Sequence, residues 1–158
     1  DIHAGRDVGA TSGPHAQIRR PWGYRCDIVA CEPVPEVFAA LQKPRAGDAR
    51  WRGYPWALGE ADDELEIHVA KGDARASSFL TFNEAGPERW GDDHRVARST
   101  RVPVRRLDGV LDEVTSHIPS RRLYLQPDPQ AFDLRVVPCA GPRMAELLPL
   151  QTALTHQP

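Results

Sequence analysis

Cysteine is scarce in this chain of 158 residues: Cys26, Cys31 and Cys139 are an odd number with no C-x-x-C spacing. That argues against a disulfide framework or a cysteine zinc site and leaves reduced, partly buried thiols as the expectation. Lysine is scarcer still, at Lys43 and Lys71 alone, and the remaining basic residues are arginines running from Arg6 to Arg143, interleaved with acids. Such spreading reads as a compositional habit, with pairs such as Arg19-Arg20, Arg105-Arg106 and Arg121-Arg122 on solvated faces. A net charge of -2 and a pI of about 6.3 give no bulk attraction to nucleic acid or to an anionic membrane, so neither is an expected partner.

Long apolar runs are missing too. No stretch reaches the ~18 residues of a membrane span, and no charged-then-apolar segment reads as a secretion signal, so a cytoplasmic location is the expectation. His15, His68, His94 and His117 show neither H-x-x-x-H nor H-E-x-x-H spacing, and no metal is expected. Trp22, Trp51, Trp56 and Trp90 are too dispersed for a base-stacking platform and read as core or loop anchors. There is no G-x-S-x-G elbow and no G-x-x-x-x-G-K-[ST] loop, which removes the common hydrolase and nucleotide-hydrolysing classes.

What is present suits one domain spanning residues 1–158, with 41% hydrophobic and 27% charged residues and enough dispersed apolar side chains for a single core. Arg25 to Glu32 is a short apolar run ending in an acid before Pro33, as a buried parallel strand looks on reaching a sheet edge. Pro35 to Gln42 follows with proline at a helix start, an early acid, and Val37, Phe38 and Leu41 on one face. Strands are expected at Trp51 to Leu58, closed by Gly59, and at Glu64 to Val69, where polar and apolar residues alternate.

The polar text from Ala70 to Arg98 reads as a long loop with the Ser77-Ser78-Phe79-Leu80 island packed down. Further on, Arg101 to Arg105 and Arg122 to Gln126 are expected strands, Leu107 to Val114 and Arg143 to Leu148 helices, Phe132 to Val137 a helical turn, and Leu150 to Thr155 a last strand. Alternation in units of this size predicts an α/β sandwich with a mostly parallel sheet and ligands beyond the carboxyl ends of its strands.

Asp7-Val8-Gly9-Ala10-Thr11-Ser12-Gly13 is the first candidate site. Glycines there let a ligand approach the backbone, and a following helix start offers free N–H groups to a carboxylate. Small-residue turns are common, and on its own this one is equally well read as structural. Glu32 raises it: an acid at the end of the next strand, ~20 to 25 residues after the glycine loop, is placed to accept the hydroxyls of an adenosine ribose. Loop and acid together describe an adenosine-ligand site.

These residues also carry a resemblance. Asp7-Val8-Gly9-Ala10, then Ile28 to Pro33 with Val37 to Leu41, then Ala57-Leu58-Gly59, Ser77-Ser78-Phe79 and Val102 to Asp108 resemble the ordered landmarks of the FkbM family of S-adenosylmethionine-dependent methyltransferases. The resemblance runs from Asp7 to about Val137 and implies a class I methyltransferase fold, α/β, Rossmann-like and doubly wound, with a mostly parallel sheet. It implies that Asp7, Gly9, Ala10, Thr11 and Gly13 shape the methionine end of the cofactor site, that Glu32 with Pro33 after it holds the ribose, and that Ala57 and Leu58 lie near the adenine, where apolar side chains sandwich the ring.

The family's last landmark, a Lys-x-Asp-x-x-Gly-x-Glu type turn, corresponds to Gln126-Pro127-Asp128-Pro129-Gln130-Ala131-Phe132-Asp133. Asp128 is retained and Asp133 stands in for the acid, whereas Gln126 and Ala131 replace the lysine and the glycine. Pro127 and Pro129 remove backbone donors, so a ladder here must end early or deform. The segment before the glycine loop, Asp1 to Arg6, should supply the central strand although it is not the usual apolar run.

Methyl transfer to oxygen needs chiefly positioning, with a group to take the hydroxyl proton. Asp128 is the first candidate for that role and Asp133 the second; a carboxylate with an unperturbed pKa of about 3.9 needs burial or a partner to serve. Either acid could equally coordinate a divalent ion or simply cap the turn after the strand. The expected activity is O-methylation of a small molecule or sugar-containing metabolite, with S-adenosylmethionine as cofactor. Its rival is a catalytically decayed or truncated relative that at most binds the cofactor, and a nicotinamide-dependent oxidoreductase ranks last because Gly9 to Gly13 lacks G-x-G-x-x-G spacing.

Overall fold

A run such as Ile28-Val29-Ala30-Cys31 can be buried completely only in a strand covered on both faces, and that is how the chain uses it. The computed structural model describes residues 4–8, 25, 27–71, 77–79, 95–118, 123–127 and 136–148. Strand β2 (Asp27–Cys31) lies in a five-stranded sheet with β1 (Ala4–Val8), β3 (Trp51–Tyr54), β7 (Leu123–Pro127) and β8 (Leu147–Leu148). Their order is β3-β2-β1-β7-β8, and every neighbouring pair is parallel.

Successive residues of β2 point to opposite faces, and each face has its own helix. Ile28 and Ala30 pack with Trp51, Phe38 and Leu41, the last two from α1 (Pro35–Gln42). Val29 and Cys31 join Leu58, Leu107, Val110, Leu111 and Val114, and four of these five come from α2 (Leu107–Thr115). Proline at the start of α1 loses no needed hydrogen bond and presets φ. The expected helix face divides: Leu41 and Phe38 meet the sheet, while Val37 turns to a third cluster of Val34, Ile67, Val69 and Val102.

That third cluster belongs to a second sheet of order β4-β6-β5, made of β4 (Ala57–Gly59), β5 (Asp63–Ala70) and β6 (Val96–Arg106). Strand β6 runs parallel to β4 and antiparallel to β5, so the pairing of the described strands is mostly, not wholly, parallel. The single strand expected from Trp51 to Leu58 is two. Pro55 lacks a ladder donor at the break, and the halves pair with different partners, β3 with β2 and β4 with β6.

The expected strand at Arg101 to Arg105 is longer than its apolar residues suggested and takes Val96 to Arg98 from the long loop. Cross-strand bonding to β5 holds this exposed polar stretch, with a bulge at Val69/Ala70. Of the Ser77 to Leu80 island, the described part packs down, with Leu80 outside the described residues: His68 and Ser78 exchange two backbone bonds of 2.9 and 3.0 Å, and Phe79 rests on the third cluster.

The helix expected at Arg143 to Leu148 is also corrected. Residues Val137–Glu146 form 3-10 turns broken at Gly141, whose φ of 51° and ψ of -134° suit glycine, with Pro142 beside it. The chain then extends as β8 along β7, pairing Leu147 with Leu123 and Leu148 with Tyr124. Most of the turn expected at Phe132 to Val137 and the strand expected at Leu150 to Thr155 lie outside the described residues.

Candidate functional site

The strand order reverses at β1, with β2 and β3 on one side and β7 and β8 on the other. In open α/β sheets the crevice beyond the carboxyl ends at such a reversal is where ligands bind. Here those ends are level: Val8 is in register with Cys31 on one side and with Pro127 on the other. The polar first segment therefore does supply the central strand, reaching Val8. Pro127 is the last residue of β7, where the absence of its N–H interrupts least.

Glu32 follows β2 directly. Its N–H donates to the Tyr54 carbonyl at 3.0 Å, carrying the β2-β3 ladder one residue further, and the side chain sits at the sheet edge with the residue only 4% exposed. Burying a carboxylate is costly unless donors satisfy it, and Oε1 accepts the Val34 N–H at 3.0 Å. Pro33 between them is buried. Val34, itself 1% exposed, begins α1 by accepting the Phe38 N–H at 2.8 Å. An ion pair between Arg98 of β6 and Glu36 of α1 joins the second sheet to the same corner.

The other expected residues fall in three groups. Asp7 is placed in β1 itself, in register with Ala30 and Gln126, so it belongs to the central strand. Ala57 and Leu58 lie on β4 and both are buried; Leu58, 2% exposed, is packed in the cluster under α2. Gly9, Ala10, Thr11 and Gly13, and the candidate acids Asp128 and Asp133, lie outside the described residues.

Two residues escaped the sequence reading. Tyr54, half-buried at the carboxyl end of β3, supplies the carbonyl that holds Glu32 and meets the Trp56 ring at 5.1 Å between centroids. Its signal was slight, an aromatic residue just before Pro55. Val34 gave no signal, because it acts through its backbone.

Elsewhere, Arg106 ties the corner between β6 and α2 to the preceding turn. Its N–H donates to Asp62 Oδ1 at 2.7 Å and its Nε to Asp108 Oδ1 at 2.8 Å. This bond holds the Asp108 carboxyl below the usual aspartate range and raises the Arg106 guanidinium. A groove of about 650 Å³ lined by Gln42, Lys43, Arg45, Asp48, Trp51 and Arg52 opens at the amino end of β3, opposite the end that carries Glu32. Among the described residues no cluster of His, Cys, Asp or Glu is grouped for a metal, and no helix is long and apolar enough to cross a membrane.

Comparison with known proteins supplies the remaining finding. Residues 7–122 match the Methyltransferase FkbM domain, a stretch that takes in the glycine loop, Glu32, Ala57-Leu58, Ser77 to Phe79 and the Val102 to Asp108 corner. It stops before Asp128 and Asp133. No curated protein and no solved structure matches the chain. With its landmarks in order and well over half of its residues matched, the chain belongs to the FkbM methyltransferase domain family.

Proposed function

We propose that this domain is an S-adenosylmethionine-dependent O-methyltransferase of Rossmann-like, doubly wound architecture, acting on a hydroxyl of a small molecule or sugar-containing metabolite. The observation that carries the reading is the placement of Glu32: a buried carboxylate at the carboxyl end of β2, beside the strand reversal at β1. Helices on both faces of a parallel sheet with this reversal support the architecture. The residues fit the cofactor because a carboxylate accepts hydrogen bonds through both of its oxygens, and ribose hydroxyls are donors.

When bound, the cofactor supplies an activated methyl group on a sulfonium sulfur. Glu32 would accept the ribose hydroxyls, and the glycine loop from Asp7 to Gly13 would receive the methionine end. Pro33 remains a candidate beside Glu32 at the ribose, and Ala57 and Leu58 remain candidates for the adenine side. Asp128 would take the acceptor's hydroxyl proton or orient that hydroxyl, with Asp133 second. The work of this chain is then mostly positioning.

Calorimetric titration with S-adenosylmethionine, S-adenosylhomocysteine and, as control, NAD tests the reading. Saturable binding of the first two alone is expected, and a folded sample that binds neither overturns it. Glu32→Ala should weaken S-adenosylhomocysteine by about 1.5 to 3 kcal/mol, the worth of hydrogen bonds to a charged group; unchanged affinity removes Glu32 from the site. A second reading, a relative that binds the cofactor without turnover, is favoured by the end of β7 at Pro127 and by a family match that stops before Asp128. Binding without methyl transfer across a panel of hydroxylated acceptors would favour it.

A further inference from the structure

A carboxylate that grips ribose hydroxyls must point the right way before the ligand arrives, since orientation gained on binding reduces affinity. Three observations place that task on Val34. Its N–H donates to Glu32 Oε1 at 3.0 Å, and its carbonyl accepts the Phe38 N–H at 2.8 Å in the first turn of α1. Its side chain, 1% exposed, is enclosed with Ile67 and Val69 of β5 and Val102 of β6. The peptide carrying the donor is thus held from the helix on one side and from the second sheet on the other.

We propose that Val34 is a positioning residue, whose backbone N–H orients the Glu32 carboxylate for the ribose hydroxyls while the second sheet, gripping the Val34 side chain, keeps that N–H in place. The proposal rests on the cofactor reading above and adds to it a role for β5 and β6. Those strands would influence ribose recognition through packing, from residues with no polar group to offer a ligand.

Backbone geometry permits a direct test. Val34 has φ of -79° and ψ of 117°, close to what proline requires, so Val34→Pro removes the donor at a compatible conformation. Titrations compare S-adenosylhomocysteine with its 2′-deoxyribose analogue on folded protein. Wild type should prefer the ribose form by about tenfold or more, as hydrogen bonds to a charged group imply. Val34→Pro should bring that preference to within about twofold while affinity for the deoxy analogue stays near wild type, because the role given to the carboxylate is to hold the ribose hydroxyls and no other part of the ligand. Val34→Ile, which keeps both the N–H and the apolar grip, should retain the preference.

Equal weakening of both ligands by Val34→Pro, or a preference left intact, overturns the proposal. Should Val34→Pro fail to fold, Ile67→Ala carries the test: it loosens the grip from β5 and should lower the preference in the same direction, and an unchanged preference overturns the role given to the second sheet. Wild-type protein that binds neither ligand would instead bring down the cofactor reading itself. Binding of both without preference would remove Glu32 from the ribose.

Discussion

Strand β2 is five residues long and buries Ile28, Val29, Ala30 and Cys31 between two helices, whereas β6 is eleven residues long and leaves Val96 to Ser99 exposed. The first is stabilised by what lies above and below it, the second largely by its neighbour, through a ladder running from Asp63↔Val104 to Ala70↔Val96. Parallel pairs need covered faces, whereas antiparallel pairs tolerate one wet face. Strands β5 and β6 of the second sheet enclose Val34, next to the acid of the candidate site. A stabilising element and a site-shaping element therefore share one corner.

Core substitutions sharpen that contrast most. Leu111 of α2 is fully buried in the cluster that covers β2, and Leu111→Ala should cost about 2 to 5 kcal/mol of global stability in urea unfolding. Val102→Ala removes fewer atoms from the smaller cluster and should cost less, on the order of 1.5 to 3 kcal/mol if the side chain's full burial is lost. Hydrogen exchange should then show Val102→Ala loosening β5 and β6 ahead of the parallel sheet. Equal loosening of both sheets would mean that they unfold as one unit, and the comparison would fail.

Charges joining the regions should have smaller effects. Arg98 and Glu36 are both more than a third exposed, so Arg98→Ala should cost no more than about 1 kcal/mol, and the loss should shrink as salt is added. A larger, salt-insensitive loss in chemical denaturation would show that the pair does more than link two surfaces. The smallest effect concerns Asp108. Its carboxyl is held below the ordinary range by Arg106, so the pair's contribution is present above the unfolded aspartate pKa and disappears as pH falls through the depressed folded value. Carboxyl carbon NMR should show Asp108 titrating low in wild type and returning to the ordinary range in Arg106→Ala.

The elements easiest to read were those whose chemistry is local. Ile28 to Cys31 followed by Glu32 and Pro33 could be read as a buried strand ending in an acid, because apolar continuity and a terminating proline act within a few residues. The Pro35 start of α1 and the alternation of β5 were legible for the same reason. The first half of β6 was not. Val96-Ala97-Arg98-Ser99 has no alternation of its own, and its conformation is set by a partner some thirty residues away, as His68↔Ser99 shows. The break at Pro55 was visible as a residue, but not its consequence, since only the partners reveal that β3 and β4 belong to different sheets.

For the candidate site, Glu32 was legible because a charged residue at the end of an apolar strand is conspicuous. Val34 was invisible because a backbone N–H carries no mark in the sequence. Composition and local pattern by themselves determined an α/β chain, the strand that ends at Glu32, the helix that follows, and the family's landmarks in order. Only the tertiary structure decided that a second sheet closes over Val34 and that Leu58 belongs to the core under α2. The physical reason is range: propensity, proline geometry and hydrophobic period act over a few residues, whereas ladder partners and burial depend on which distant segments are brought together.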